Sequence, residues 1–444
     1  MHARRLDDSP LATCVRLCLL QLPVDLRAAG AALTPAALDA LVALRLAEVD
    51  GSLLRPRARI VPAEELLMAF DGFARGVDDP VGFVAPYTPT ASWLAALTPR
   101  RRAARALDVG TGNGIHALLA AAHCDHVIAT DVNHRALAFT EINAAMNGVR
   151  NVETRLGSLF DPVAGEQFDL ITCNAPYVVS PESRWQYRDG GLPADELSQR
   201  VVEQAAAALA DDGLASLLVS WVAASEDEPD ERVVGWLAHS RCDAWVLGLE
   251  GADPLAHAAG WNEHLAVDPE AYGEALDQWM AYFDRLGVGW ISEGAVLLHR
   301  RAGTKYTIRL DSAESDELEF AGEQIERVFA SHARLAELRD DDALLEETVV
   351  LAPEVRIDRV VQPGEREPET VLALEEGTHV EFELDPDVAE VIGVLDGTLT
   401  LGGAVARVVR AFELDKHEAA ELRRDTIAET EELLAFGIAE LLVR

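Results

Sequence analysis

Lysine is nearly absent from this chain: of 38 basic residues, only Lys305 and Lys416 are lysines. Cations of any kind are scarce against 76 acidic residues, which gives a formal charge of −38 at pH 7. Such a chain cannot coat naked nucleic acid with a general basic face, because phosphate binding needs Lys and Arg that release counterions. An anionic membrane surface is disfavoured on the same ground. Cysteine is sparse as well. Cys14, Cys18, Cys124, Cys173 and Cys242 are odd in number and scattered, which is no disulfide framework and points to a reducing compartment. No run of about 18 uncharged apolar residues occurs, so no transmembrane helix is expected. Asp7, Asp8 and Arg16 interrupt any apolar core of a signal peptide behind Arg4 and Arg5. The expected location is the cytoplasm.

What is present suits a soluble multidomain protein. The 444 residues are 49% hydrophobic and 26% charged, and a chain of this length holds several domains. Charge is uneven along it. Residues 1–105 carry 13 basic and 11 acidic residues, whereas residues 301–444 carry 15 and 35. Three regions separate by pattern. Residues 1–88 begin with helical periodicity (Leu11–Leu22, Pro35–Val49). A hairpin signal follows at Ser52–Leu54 and Ala58–Val61 behind Asp50-Gly51, so a winged-helix-like adaptor is expected. Residues 89–301 alternate short apolar runs (Ala106–Val109, Val127–Asp131, Val152–Leu156, Phe168–Cys173, Leu214–Val219) with helical stretches. That alternation predicts βαβ units and a mostly parallel sheet covered on both faces. Residues 302–444 form an acidic region of mixed α+β pattern.

The most informative run is Leu107-Asp108-Val109-Gly110-Thr111-Gly112-Asn113-Gly114, a strand followed by G-x-G-x-G and a helix. Glycines let the backbone turn tightly and approach a ligand with no Cβ in the way. The spacing is not the dinucleotide fingerprint, and no G-K-[ST] marks a phosphate loop. The second strand ends at Asp131, 21 residues after Gly110, where an acidic side chain can accept both hydroxyls of a ribose. An adenosine ligand without phosphates is S-adenosylmethionine.

Leu107–Gly114 with Asp131 resembles the first two motifs of class I S-adenosylmethionine-dependent methyltransferases, and Asn143–Gly148 and Gly157–Asp161 continue the match in order. The resemblance implies a Rossmann-like seven-stranded sheet. It also implies a cofactor site built from Asp108, Gly110, Thr111, Gly112, Asn113, Gly114, Asp131, Val132, Asn133 and Asn174, with Ser158 and Leu159 flanking the adenine. Many relatives carry Asp where Ser158 stands.

The fourth strand, Phe168–Cys173, ends in Asn174-Ala175-Pro176-Tyr177. This resembles the [N/D]-P-P-[Y/F] motif of methyltransferases acting on nitrogen conjugated to a π-system, among them the release-factor glutamine methyltransferases. The chemistry has a physical reason. A conjugated nitrogen has a delocalised lone pair, and hydrogen bonds from its protons to the Asn side chain and the next backbone carbonyl localise that pair toward the methyl. The tyrosine can stack on the planar group. Here Ala175 replaces the first proline; the acceptor carbonyl survives, but a φ restraint is lost. Beyond it, Ser183–Gly191 is expected over the mouth of the pocket, with Trp185, Tyr187 and Arg188 toward substrate and Gly190-Gly191 as a hinge. "NAPYV" and "YRDGG" together resemble an actinobacterial set of such enzymes.

The expected function is therefore methyl transfer to a planar nitrogen, the amide or guanidinium of a protein, peptide or small metabolite. Methylation of an RNA exocyclic amine, using Arg55, Arg57, Arg59 and Arg100–Arg102 for phosphate, is the alternative; a non-catalytic cofactor-binding partner is a third reading. No metal is expected: His123, Cys124 and His126 have no matching ligand pair at conventional spacing.

Overall fold

The computed structural model describes residues 5–72, 82–174, 176–182, 191–303, 305–315, 317–339, 341–360 and 369–442. Its centre is an eight-stranded sheet, whose strands we number β1 (Ala103–Val109), β2 (Cys124–Asp131), β3 (Val152–Leu156), β4 (Phe168–Cys173), β5 (Leu209–Ala223), β6 (Asp243–Ala252), β7 (Trp290–His299) and β8 (Ile308–Ser312). Their spatial order is β8-β6-β7-β5-β4-β1-β2-β3. All neighbouring pairs are parallel except those of β7, which runs against both β5 and β6.

Strand side chains alternate between faces, and the buried residues divide accordingly. Leu107, Val109, Ile171, Cys173, Leu217 and Val219 join one core layer. Ala106, Leu170, Leu214, Leu218, Ala295 and Leu297 join the other. Helices cover both layers, which is why the strands read as continuous apolar runs. We number those used below α1 (Ile115–Ala121), α2 (His134–Met146), α3 (Glu196–Ala208), α4 (Pro254–Trp261), α5 (Pro269–Leu286) and α6 (Gly322–Leu335). Val201, Val202 and Ala205 of α3 pack on the first layer. Ala117 and Ala120 of α1, with Ile325, Val328 and Phe329 of α6, pack on the second.

Two expectations are corrected here. The sheet has eight strands rather than seven, and a boundary at 301 would cut through it. β8 pairs in parallel with β6, from Ala244–Ile308 to Gly248–Ser312. Arg301 is held to buried Asp243, which also accepts from the Thr307 amide at 2.7 Å. α6 docks closely enough that a Cβ on Gly322 would lie 2.6 Å from the Thr98 carbonyl oxygen. The acidic region proper has its own core, including Val349, Leu372, Val388, Leu401, Leu433 and Ile438. It is fastened to α6 by Gln324, whose amide donates to the Phe436 carbonyl and the Thr378 hydroxyl, each at 2.9 Å.

The hairpin at Asp50-Gly51 is also differently paired than expected. Gly51, at φ +61°, turns Ala47–Asp50 back onto Leu53–Pro56. Ala58–Ala63 instead pairs with Leu66–Asp71. That second hairpin packs onto the sheet domain: Met68 and Phe70 contact the cluster of Ile115, Leu118 and Ala144. Asn143 of α2 and Asn147, which caps its C-terminus, each present an amide to the Leu66–Asp71 strand as a neighbouring strand would. Asn143 accepts from the Ala69 amide (2.7 Å) and donates to its carbonyl (2.9 Å). Asn147 does the same for Leu67, at 2.9 Å in both directions.

Candidate active site

In an open α/β sheet, ligands bind beyond the carboxyl ends of the strands where the strand order reverses. Here that point is β1, with β2 on one side and β4 on the other. The register places Val109 opposite both Thr130 and Cys173. Gly110, Asp131 and Asn174 therefore leave the sheet side by side. Three segments singled out separately in the sequence meet at one edge.

The glycine loop needs its glycines for different reasons. Gly110, Gly112 and Gly114 all lie in the left-handed region, at φ +67°, +56° and +87°. A Cβ on Gly114 would fall 2.8 Å from both Cγ2 and Oγ1 of Thr140, so helix α1 could not begin there with a side chain. A Cβ on Gly112 would meet only the Gly110 carbonyl oxygen, at 4.0 Å. Gly112 thus faces open space, and Gly114 faces protein.

Asp131 holds the loop to the tip of β2. One carboxylate oxygen accepts from the Gly112 amide at 3.0 Å and the other from the Asn133 amide at 2.8 Å. Burial raises its pKa. Asp108, Thr111 and Asn113 lie underneath, and their polar atoms are taken up within the protein. Asp108 accepts from the Thr111 hydroxyl (2.6 Å), the Thr172 hydroxyl (2.9 Å) and the Ala117 amide (3.1 Å). Burial nevertheless pushes its carboxyl up to about 6. The Asn113 side chain accepts from the Ile115 amide at the start of α1 (3.1 Å) and donates to the Ala85 carbonyl (3.1 Å). Asn133 caps α2 and donates to the Gly82 carbonyl at 3.1 Å. These side chains position the loop. Val132 stands 52% exposed and Leu156 48% exposed at the adjacent strand tips, two apolar side chains with no fold-level reason to face solvent. Leu159, at φ +47°, fixes the turn after β3 through its carbonyl, which accepts from Thr130 Oγ1 at 3.2 Å, and Ser158 is exposed beside it.

These residues fit S-adenosylmethionine: open space above Gly112, a carboxylate at the tip of β2 and apolar contact on its far side suit an adenosine without phosphates. Arg135, the nearest cation in the sequence, is bound in a fork to Asp71, at 3.1 and 2.9 Å from Nε.

Beyond β4, Asn174, Pro176 and Tyr177 are half-buried. The Tyr177 carbonyl accepts from the Ser220 hydroxyl of β5. Burial first, then the charges of Glu293 and Glu250, raise the pKa of its phenol. Ala175, Trp185, Tyr187, Arg188 and Gly190 lie outside the described residues.

The comparisons with known proteins fall on this region. Residues 89–226 match the family model described as the methyltransferase small domain. That segment is a class I methyltransferase domain. Its cofactor is S-adenosylmethionine. Residues 1–59 match a model described as a domain of unknown function (DUF7059). The release factor glutamine methyltransferase of Aliivibrio fischeri is 39% identical over 88 residues, 19% of this chain and 30% of that protein. The ribosomal protein uL3 glutamine methyltransferase of Xanthomonas campestris pv. campestris is 29% identical over 250 residues, 47% of this chain and 79% of that protein. The uL3 enzyme of Bradyrhizobium diazoefficiens is 34% identical over 122 residues, 24% and 38% of the two chains. The chain thus spans under a third of the release-factor relative and less than half of the Bradyrhizobium protein.

Sequence reasoning missed two groups in this region. One is the Asn143/Asn147 clamp. The other is a set of side chains next to Tyr177: Glu250, His257, Trp261 and Glu293. A signal for the latter exists, since Glu250-Gly251 and Glu293-Gly294 each place a carboxylate before glycine within an apolar strand.

Proposed function

We propose that this protein methylates a planar nitrogen, the side-chain amide or guanidinium of a protein or peptide, at the adjoining tips of β1 and β4. One observation carries the reading: Asn174 emerges from β4 directly beside Gly110, with the half-buried Tyr177 three residues on. The glutamine specificity of the uL3 and release-factor relatives supports the same acceptor chemistry.

Bound S-adenosylmethionine supplies an electrophilic methyl group on sulfur. Asp131 orients the ribose hydroxyls, and Gly112 leaves room for the ligand against the backbone. The Asn174 side-chain carbonyl accepts a hydrogen bond from the acceptor nitrogen, turning its lone pair out of conjugation. Tyr177 lies against the planar group; its raised phenol pKa keeps it neutral, so it acts as a surface and not as a base. As the nitrogen–methyl bond forms the sulfur–methyl bond would break, leaving the neutral thioether, and the proton of the methylated nitrogen would pass to solvent; rate enhancement then comes mainly from alignment of nitrogen, methyl and sulfur.

The test supplies methyl-labelled S-adenosylmethionine to the full-length protein with size-fractionated lysate of its own host, followed by protease or RNase. Protease-sensitive label is expected. RNase-sensitive label would replace the reading with RNA methylation despite a charge of −38.

A further inference from the structure

Beyond Tyr177 the structure holds a cavity of about 350 Å³ between the ends of β6 and β7 and helix α4. Its lining includes Glu250, His257, Trp261, Ile291 and Glu293. Glu250 and Glu293 are direct cross-strand partners in the β6–β7 ladder. Like charges so placed repel each other and weaken a sheet. Glu293 is also largely buried, its side chain 13% exposed. Among the described residues, neither carboxylate has an arginine or lysine within ion-pair distance. Glu293 instead lies beside the Trp261 indole and faces Nδ1 of His257 at 3.8 Å, and Glu250 receives the Ser315 hydroxyl at 3.3 Å. The cavity also adjoins the transfer site. His257 Nε2 is bonded to the Val179 carbonyl at 3.2 Å, two residues beyond Tyr177, and both carboxylates lie near enough to perturb the Tyr177 phenol.

Two facing carboxylates and an aromatic wall around a pocket open to solvent are what a cationic side chain requires. We propose that this cavity is the subsite for a cationic group of the methyl acceptor, a guanidinium or ammonium carried near the methylated nitrogen and held between Glu250 and Glu293 against Trp261. This rests on the methyltransferase reading and narrows it: the acceptor is a basic segment. The net negative charge of the whole chain would raise the local concentration of such segments and speed their encounter.

The probe is n-butylguanidinium, titrated calorimetrically into the full-length protein saturated with S-adenosylhomocysteine, with n-butylurea as the neutral isostere. Saturable binding with Kd on the order of 1 mM is expected for the cation, about tenfold tighter than for the urea. The E250Q/E293Q double variant should lose that preference while keeping its affinity for S-adenosylhomocysteine, which also shows that it folds. Equal binding of the two probes, or an unchanged preference in the double variant, with cofactor affinity intact, overturns the subsite alone. A protein that binds the cation but no S-adenosylhomocysteine overturns the methyltransferase reading and with it the assignment to an acceptor.

Discussion

Two glycines of one loop should fail in opposite ways. Gly114→Ala forces a side chain into φ +87° and places its Cβ 2.8 Å from Thr140. The left-handed conformation costs roughly 1–2 kcal/mol, and overpacking against a buried helix residue adds about 1–3 kcal/mol. Thr140 cannot turn away freely. It is fully buried, and its hydroxyl donates to the Ala136 carbonyl at 3.1 Å. The expected loss is therefore roughly 2–5 kcal/mol of stability. Gly112→Ala pays the same backbone term, but its Cβ meets nothing nearer than 4.0 Å, so the loss should stay near 1–2 kcal/mol. That methyl would occupy the space assigned to the ligand, where crowding of about 1–3 kcal/mol corresponds to roughly 5- to 150-fold weaker binding. Urea denaturation and calorimetric titration with S-adenosylhomocysteine measure the two quantities on the same preparations. If Gly112→Ala binds like the wild type, the open face of the loop is not the ligand face. If both variants lose equal stability, the packing of Gly114 on Thr140 has been misjudged.

Asn174→Ala should reduce turnover by about two to three orders of magnitude with S-adenosylhomocysteine affinity unchanged; activity near the wild-type level would remove Asn174 from the transfer step. Burial and the neighbouring Glu250 carboxylate push Glu293 up to about 7, so the folded state favours its protonated form. That contribution is complete below the unfolded value near 4.5 and is lost as pH rises through about 7. Glu293→Gln, which mimics the protonated acid, should therefore gain on the wild type by something on the order of 3 kcal/mol between pH 5 and pH 8. Denaturation at both pH values reads it, and a pH-independent difference would show that Glu293 titrates normally. Arg301→Ala removes the cation paired with fully buried Asp243 and should cost about 3–5 kcal/mol. A loss below about 1 kcal/mol, typical of a surface pair, would mean that β8 is not anchored as described.

Features legible in the sequence were those enforced locally. Glycine alone tolerates the left-handed turns after β1, so G-x-G-x-G announced itself without any partner in view. Strands buried on both faces must be apolar throughout, so β1, β2, β4 and β5 could be read from composition. The order of those strands, with Asp131 and Asn174 at successive ends, was enough to place the cofactor loop and the tetrapeptide at one edge. Tertiary structure decided what depends on residues far apart in the chain. Asp50-Gly51 signals a turn, yet Ala58–Ala63 pairs not across it but with Leu66–Asp71, the strand to which Asn143 and Asn147 supply a substitute edge. An asparagine in a helix shows nothing of that role. β8 and α6 follow a basic turn that looks like a boundary, and only the pairing with β6 and the cover over Leu318, Ile325 and Phe329 tie them to the sheet. Glu250 and Glu293 lie 43 residues apart in sequence and become neighbours only through the register of β6 on β7. A carboxylate has a strong effect on another only when the fold brings them together and removes water, and no local pattern encodes that distance.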